Sequence, residues 1–183
     1  MAPVRASRRS ASGIRVRRAT LKDVDELVHQ RRAMWEDLGV KGEAEHDRAD
    51  RIYHRWVRSR MKNERLSGWI AEKPDGTVAG GGCVWLQEVQ PRPHRKGRLQ
   101  PYLLSMYTEP EFRGRGVASK VVQAAIDWTR KQGFERLQLH ASEMGRGVYT
   151  RLGFKRTWEM RLNTASPHKG PTGAAGPKLR KSR

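Results

Sequence analysis

The chain has 183 residues, with 38 lysines and arginines against 19 aspartates and glutamates, a formal charge of +19 and a mean hydropathy of −0.84. That is room for one domain of ordinary size, and no apolar run approaches the roughly 18 to 20 residues that cross a bilayer. A single cysteine, Cys83, makes no internal disulfide, and the N-terminus carries charge without the apolar stretch of a signal peptide, so a reducing, cytoplasmic setting without a membrane partner is expected.

The charge is unevenly placed. Residues 1–13 hold Arg5, Arg8 and Arg9, residues 165–183 hold Lys169, Lys178, Arg180, Lys181 and Arg183, and neither segment has an acid. Both lack periodic apolar residues and read as disordered basic segments. Subtracting these eight charges from +19 leaves +11 on residues 14–164, the expected folded domain. An anionic ligand or partner suits such a fold, and charge alone leaves nucleic acid, a phosphate-rich cofactor and simple solubility open.

In chain order, Ile14 to Arg18 alternates like a strand, and Thr20 with Asp23 makes an acidic capping box before Leu21, Val24, Leu27, Val28, Met34 and Leu38 at helical spacing. Ile52, Tyr53, Trp56, Val57 and Met61 predict a second helix, closed off near Asn63 and Gly68. Trp69 to Glu72 and Val78 to Leu86 flank Pro74-Asp75-Gly76-Thr77 and read as a hairpin. A polar loop from Glu88 to Arg98 precedes a central strand, Tyr102 to Tyr107, a glycine-rich turn, and a helix carrying Val117, Val121, Val122, Ala125 and Ile126 that stops at Gly133. Leu137 to Ala141 reads as a strand, Gly145 to Leu152 as a short helix and Thr157 to Leu162 as a last strand. Strand–helix–strand crossovers in this order require a partly parallel sheet covered by helices.

The stretch Arg113-Gly114-Arg115-Gly116-Val117-Ala118 lies between a strand and a helix start. Glycines there allow a sharp turn and a close approach of N–H groups, and the helix terminus adds unpaired donors and partial positive charge, which suits a phosphate. A loop needed only for chain reversal is the competing reading. Other phosphate motifs fail, since there is no G-x-x-x-x-G-K-[ST] and Gly114-x-Gly116 lacks the third glycine of the dinucleotide fingerprint. Cys83, in an apolar strand, reads as a core residue rather than a nucleophile. The histidines at 29, 46, 54, 94, 140 and 168 have no metal-ligand spacing, so no metal is expected.

Arg113-x-x-Gly116-x-Ala118 following Met106-Tyr107-Thr108-Glu109-Pro110, with Ser142 to Phe154 and its tyrosine four residues before Gly153 and Phe154, resembles the signature of the GNAT acetyltransferase superfamily. The likeness is sharp over residues 102–162 and covers only the order of elements over 14–90. It implies an α/β (α+β) fold with a mixed, mostly antiparallel twisted sheet and a splayed central parallel strand pair, flanked by helices. It further implies an acetyl-CoA-dependent N-acetyltransferase in which the acceptor amine attacks the thioester directly. The cofactor pyrophosphate would lie on Arg113, Gly114, Arg115, Gly116, Val117 and Ala118, and the pantetheine arm along Met106, Tyr107 and Thr108. Ser142 stands where the family often has an asparagine touching that arm. Tyr149 matches the tyrosine that protonates the leaving thiolate, although a tyrosine on a short apolar helix is also an ordinary core residue.

The general base is not legible. Leu103, Ser105 and Tyr107 occupy the strand where relatives often place Glu or His, and Glu88 is nominated only because it ends a strand that flanks the expected acceptor cleft. Residues 36–50 carry a net charge of −4 inside the basic domain, with Trp35, Tyr53 and Trp56 adjacent. Trp35, Glu36 and Tyr53 are therefore candidates for holding a cationic amine of a small molecule or a protein. Two readings stand beside the enzyme: a nucleic-acid- or ribosome-associated module that keeps the fold and uses the basic tails, and an acetyltransferase whose substrate is a nucleic-acid-bound protein. A homodimer is left open.

Overall fold

The computed structural model describes residues 13–91, 93 and 97–162. The two basic terminal segments, apart from Gly13, and His94 in the polar loop lie outside the described residues.

Four strands, β1 (Arg15–Arg18), β2 (Leu66–Glu72), β3 (Val78–Glu88) and β4 (Leu99–Thr108), form one antiparallel sheet in the order β1-β2-β3-β4. The capping box expected at Thr20 is present. Its hydroxyl accepts from the Lys22 amide, and the Asp23 carboxylate accepts from the Thr20 amide at 2.7 Å. It opens a single 3-10 turn that runs into helix α1 (Val24–Asp37). Arg17 of β1 binds Asp23 and, together with Arg15, the buried carboxylate of Glu72. The Arg17 guanidinium holds the Asp23 carboxyl down at about 2. At Glu72, burial pushes the carboxyl up and the two guanidiniums outweigh it, leaving it below the usual range.

Helix α2 (Glu43–Lys62) begins two turns before its apolar periodicity. Glu43 and Glu45 sit at its positive end and Arg60 and Lys62 at its negative end, as the helix dipole favours. Gly68, expected to close this helix, belongs to β2 instead. A Cβ there would lie 2.9 Å from Ala19 Cβ and 3.3 Å from Leu27 Cδ1, so the glycine lets the chain after β1 cross close to β2. The hairpin turn forms as expected, with Gly76 at φ +85° and the Thr77 amide donating to Asp75.

Helices cover both faces of the sheet. On one, α3 (Val117–Lys131) packs Val117, Val121, Val122 and Ala125 against Trp69, Ala71, Val84 and Leu103. On the other, α1 and α2 pack Val24, Leu27, Tyr53 and Val57 against Ile70 and Cys83. Cys83 is fully buried and burial pushes its thiol up to about 12, in keeping with a core residue.

Two expected strands do not form. Residues 137–141 make a single parallel bridge, Gln138 to Tyr102, so the parallel character of the sheet is confined to that point. Residues 154–162 have no regular structure. Trp158, Met160 and Leu162 alternate with Glu159 and Arg161 as an amphipathic strand would, but a strand also needs a partner edge, and the neighbouring segment offers only the one bridge. All three apolar residues remain exposed. Helix α4 (Glu143–Arg151) lies between these two segments.

Candidate active site

The site begins at a defect in β4. Gly81 faces Tyr107 and Cys83 faces Leu104, so Ser105 and Met106 together oppose Gly82 in a β-bulge. Ser105 adopts φ +51°, a left-handed conformation that costs a non-glycine residue roughly 1 kcal/mol or more. Its hydroxyl is hydrogen-bonded to the buried Tyr53 hydroxyl at 3.1 Å, which ties the bulge to α2.

The extra residue reverses the alternation of side chains. Leu103 lies with the α3 core and Leu104 with the α1/α2 core, whereas past the bulge Met106 returns to the α3 side. Three glycines make the distortion fit. A Cβ on Gly80 would stand 2.4 Å from the Tyr107 carbonyl oxygen, one on Gly81 2.4 Å from Gln30 Oε1 and 2.6 Å from the Trp69 carbonyl oxygen, and one on Gly82 2.2 Å from Met106 Sδ. This triplet and Ser105 were not singled out from the sequence, although three successive glycines inside an apolar strand pattern are a signal for close approach.

The bulge coincides with a fork. The Leu103 amide donates to the Gln138 carbonyl at 2.7 Å and the Gln138 amide to the Pro101 carbonyl at 3.1 Å. Among the described residues no backbone hydrogen bond continues this pairing to His140 or Ser105. The two segments part there, leaving the Met106 to Thr108 edge of β4 beside the gap.

The glycine-rich turn lies just beyond that edge. Gly114 (φ +72°) and Gly116 (φ +89°) are left-handed, and a Cβ on either would meet nothing within 4 Å. Gly116 is the N-cap of α3 and supplies no side-chain cap. Among the described residues the amides from Gly114 to Ser119 have no hydrogen-bond acceptor. Open space, unpartnered N–H groups and a helix N-terminus together have the chemistry of an anion cradle. The two arginines of the turn differ in role. Arg113 is already engaged, donating to the Thr108 carbonyl and the Asp37 carboxylate while lying over the Tyr107 ring at 5.6 Å, and so fastens the turn to the end of α1. Arg115 lies over Phe112 at 5.7 Å and makes no ion pair with a described residue. Tyr107 is buried; burial, then Glu109 and Asp37, push its phenol up against the opposing Arg113.

Ser142 is the N-cap of α4, its hydroxyl accepting from the Gly145 amide at 3.2 Å. Tyr149 is half-buried against the α3-side core, its ring edge-on to Phe154. A Cβ at Gly145 would come within 3.0 Å of that ring, so the glycine makes room for it on the first turn of α4. Burial raises the Tyr149 phenol.

The acceptor-side candidates are only partly brought together. Tyr53 reaches the bulge, stacked on Trp56, which meets Trp85 edge-on. Trp35 is exposed at the end of α1, and Glu36 binds Arg32. Within the acidic segment Arg32 also binds Glu43, Asp47 and Asp50, and Arg113 takes Asp37. The cation of Arg31 lies over Tyr53 at 4.4 Å. Glu88 pairs with Leu99 at the opposite end of β4, six residues and about 20 Å along the strand from Ser105. It is therefore not part of the fork. One group the sequence did not mark is there: His140, hydrogen-bonded to Tyr102 and Glu159. A histidine right after an apolar Leu-x-Leu was its only signal.

The chain is similar to known acetyltransferases in sequence and in fold. The chain is 34% identical over 92 residues to human N-acetyltransferase 8B, covering 49% of this chain and 38% of that protein. It is 33% identical over 89 residues to N-alpha-acetyltransferase 30 of Schizosaccharomyces pombe, covering 45% and 57%. The chain thus spans about half the length, or less, of the curated relatives it matches. Among solved structures, a predicted acetyltransferase from Clostridium acetobutylicum, crystallised with acetyl-CoA, superimposes with a TM-score of 0.75 at 28% identity over 85% of this chain and 99% of that one. A GCN5-related N-acetyltransferase from Ralstonia eutropha gives 0.75 at 26% identity, over 84% and 100%. Residues 25–154 match the acetyltransferase (GNAT) family, and the chain belongs to that family.

Proposed function

We propose that the chain is an acetyl-CoA-dependent N-acetyltransferase that modifies a primary amine. The observation that carries this reading is the run of unpartnered amides from Gly114 to Ser119, with open space over Gly114 and Gly116, at the mouth of the β4 fork. Those amides with Arg115 would bind the pyrophosphate, and the edge from Met106 to Thr108, whose last carbonyl Arg113 holds, would bind the amide groups of the pantetheine arm. Bound acetyl-CoA supplies the activated acyl group. Tyr149 then has one task, to hold a proton where the sulfur departs and release it to the thiolate. Its phenol suits that task because a tyrosine carries its proton at neutral pH, and burial shifts it further in that direction. Ser142 contributes through its cap on α4, which orients the helix bearing Tyr149.

Free CoA release from acetyl-CoA with spermidine, glucosamine and a short peptide with a free N-terminus tests the reading. Saturating acetyl-CoA should also raise the melting temperature, because a ligand bound only by the folded state stabilises it. Absence of CoA release with every amine, or absence of a thermal shift at saturating acetyl-CoA, would overturn it.

One observation favours a polyanion-associated variant. Arg48, Arg51, Arg55, Arg58 and Lys62 are exposed along one stripe of α2, about 21 Å long, and make no ion pair with a described residue. Such a stripe would add to the basic tails in holding an acceptor that is itself bound to nucleic acid. Binding of a single-stranded RNA whose log affinity falls steeply with log salt, and less steeply after charge removal from this stripe, is the expected result. No binding at 50 mM salt would remove this variant and leave the enzyme reading intact.

A further inference from the structure

Resting on the acetyltransferase reading, we infer that Tyr102 and His140 take the proton that the acceptor amine sheds, with Glu159 as the positioning residue. Tyr102 and Gln138 form the last paired step before β4 and the following segment separate, so both Tyr102 and His140 stand at the apex of the fork. The Tyr102 hydroxyl is hydrogen-bonded to His140 Nδ1, and His140 Nε2 to Glu159, which in turn accepts from Arg161 at 3.0 Å. Among the described residues these are the charged and titratable groups that meet the imidazole from the neighbouring segments.

The chain of bonds determines its own direction. A carboxylate accepts and does not donate, so His140 Nε2 carries hydrogen, Nδ1 of the neutral ring is the acceptor, and the Tyr102 hydroxyl donates to it. The arrangement has the logic of a hydroxyl, an imidazole and a carboxylate in series. As the amine forms its bond to the acyl carbon and the carbon–sulfur bond breaks, an amine proton passes to the Tyr102 oxygen, whose own proton moves to His140 Nδ1. The imidazolium is stabilised by Glu159 and discharges to solvent. The thiolate is protonated separately by Tyr149, which regains its proton from solvent, so one proton leaves nitrogen, one reaches sulfur, and the balance closes.

Placement supports two separate proton routes. Tyr102 lies opposite Trp85, which packs with the α1/α2 core, whereas Leu103 and Tyr149 pack on the α3 side. The amine would therefore lose its proton on one face of the fork and the sulfur gain its own on the other. Trp85 and Trp56 flank the amine side.

The test has two arms, both on the full chain. In the first, nitrogen-detected NMR of the histidine rings should show His140 as the Nε2–H tautomer, a preference that weakens in Glu159→Gln. A mixed or Nδ1–H ring indifferent to Glu159 overturns the proposal, whatever the acceptor. In the second, CoA release is measured against pH with acetyl-CoA and whichever of spermidine, glucosamine or the peptide turns over. His140→Gln should lower kcat by about 10²-fold and abolish the acidic limb of the profile, with the KM for acetyl-CoA and the acetyl-CoA thermal shift retained. An unchanged limb in His140→Gln overturns the proposal. If wild type binds acetyl-CoA but releases no CoA with any amine, the N-acetyltransferase reading fails, and with it this proposal.

Discussion

Two glycine-rich stretches, only about thirty residues apart in sequence, are needed for opposite reasons. At Gly80, Gly81 and Gly82 a side chain has no room: the atoms it would strike, at 2.2 to 2.6 Å, belong to the protein itself. At Gly114 and Gly116 there is nothing within 4 Å to strike, and what calls for glycine is the positive φ and the space left for something else. The first set lets β3 approach α1 and the β4 bulge and so creates the fork. The second keeps a row of amides open to the exterior. Glycine content alone does not distinguish them, whereas the atoms that a Cβ would meet at each position do.

The largest expected effect is at the first set. Gly81→Val should cost about 3 kcal/mol or more, because the new side chain meets the Trp69 carbonyl oxygen and the buried Gln30. Thermal unfolding without ligand measures it, and a variant that melts like wild type would mean the triplet is not close-packed. Next is Tyr149→Phe, which keeps the ring against Phe154 and removes the proton. Turnover should fall by roughly 10²-fold with acetyl-CoA affinity and melting temperature little changed. Loss of the fold instead would identify Tyr149 as a packing residue.

The second glycine set sharpens the contrast. Gly116→Val should cost the free protein only about 1 to 2 kcal/mol, the strain of a left-handed conformation, while acetyl-CoA affinity, followed by calorimetry, falls by tenfold or more. Equal losses at Gly81 and Gly116 in free protein would erase the distinction drawn between them. The smallest effect lies away from both. Asp23→Asn removes the partner of Arg17 and should cost about 1 to 2 kcal/mol at pH 7, discounted for the part-exposed Arg17. Because the folded-state carboxyl is held down at about 2, this stability is present above the ordinary carboxylate range and is lost as pH falls through 2. Wild type and variant should therefore converge in acid unfolding near pH 2, with acetyl-CoA affinity untouched.

Local rules made much of this protein legible in one dimension. The Thr20 capping box, the Pro74 to Thr77 hairpin, the amphipathic α3 and the anion-suited turn each depend on residues within a few positions of one another, so chain order alone carried the signal. The family resemblance over residues 102–162 rested on the same kind of local pattern. Tertiary structure decided what depends on partners distant in sequence. Ser105 is left-handed because Gly82 allows a bulge and Tyr53 of α2 binds its hydroxyl. Five of the six acidic residues between 36 and 50 are tied up by Arg32 and Arg113, partners that lie outside the segment. Residues 137–141 and 157–162 have the alternation of strands and lack a paired edge, since alternation sets which faces are apolar and only a neighbouring backbone can satisfy the ladder. His140 joins Tyr102 and Glu159 across separations of 38 and 19 residues, a meeting that no spacing in the sequence records and that the fold alone arranges.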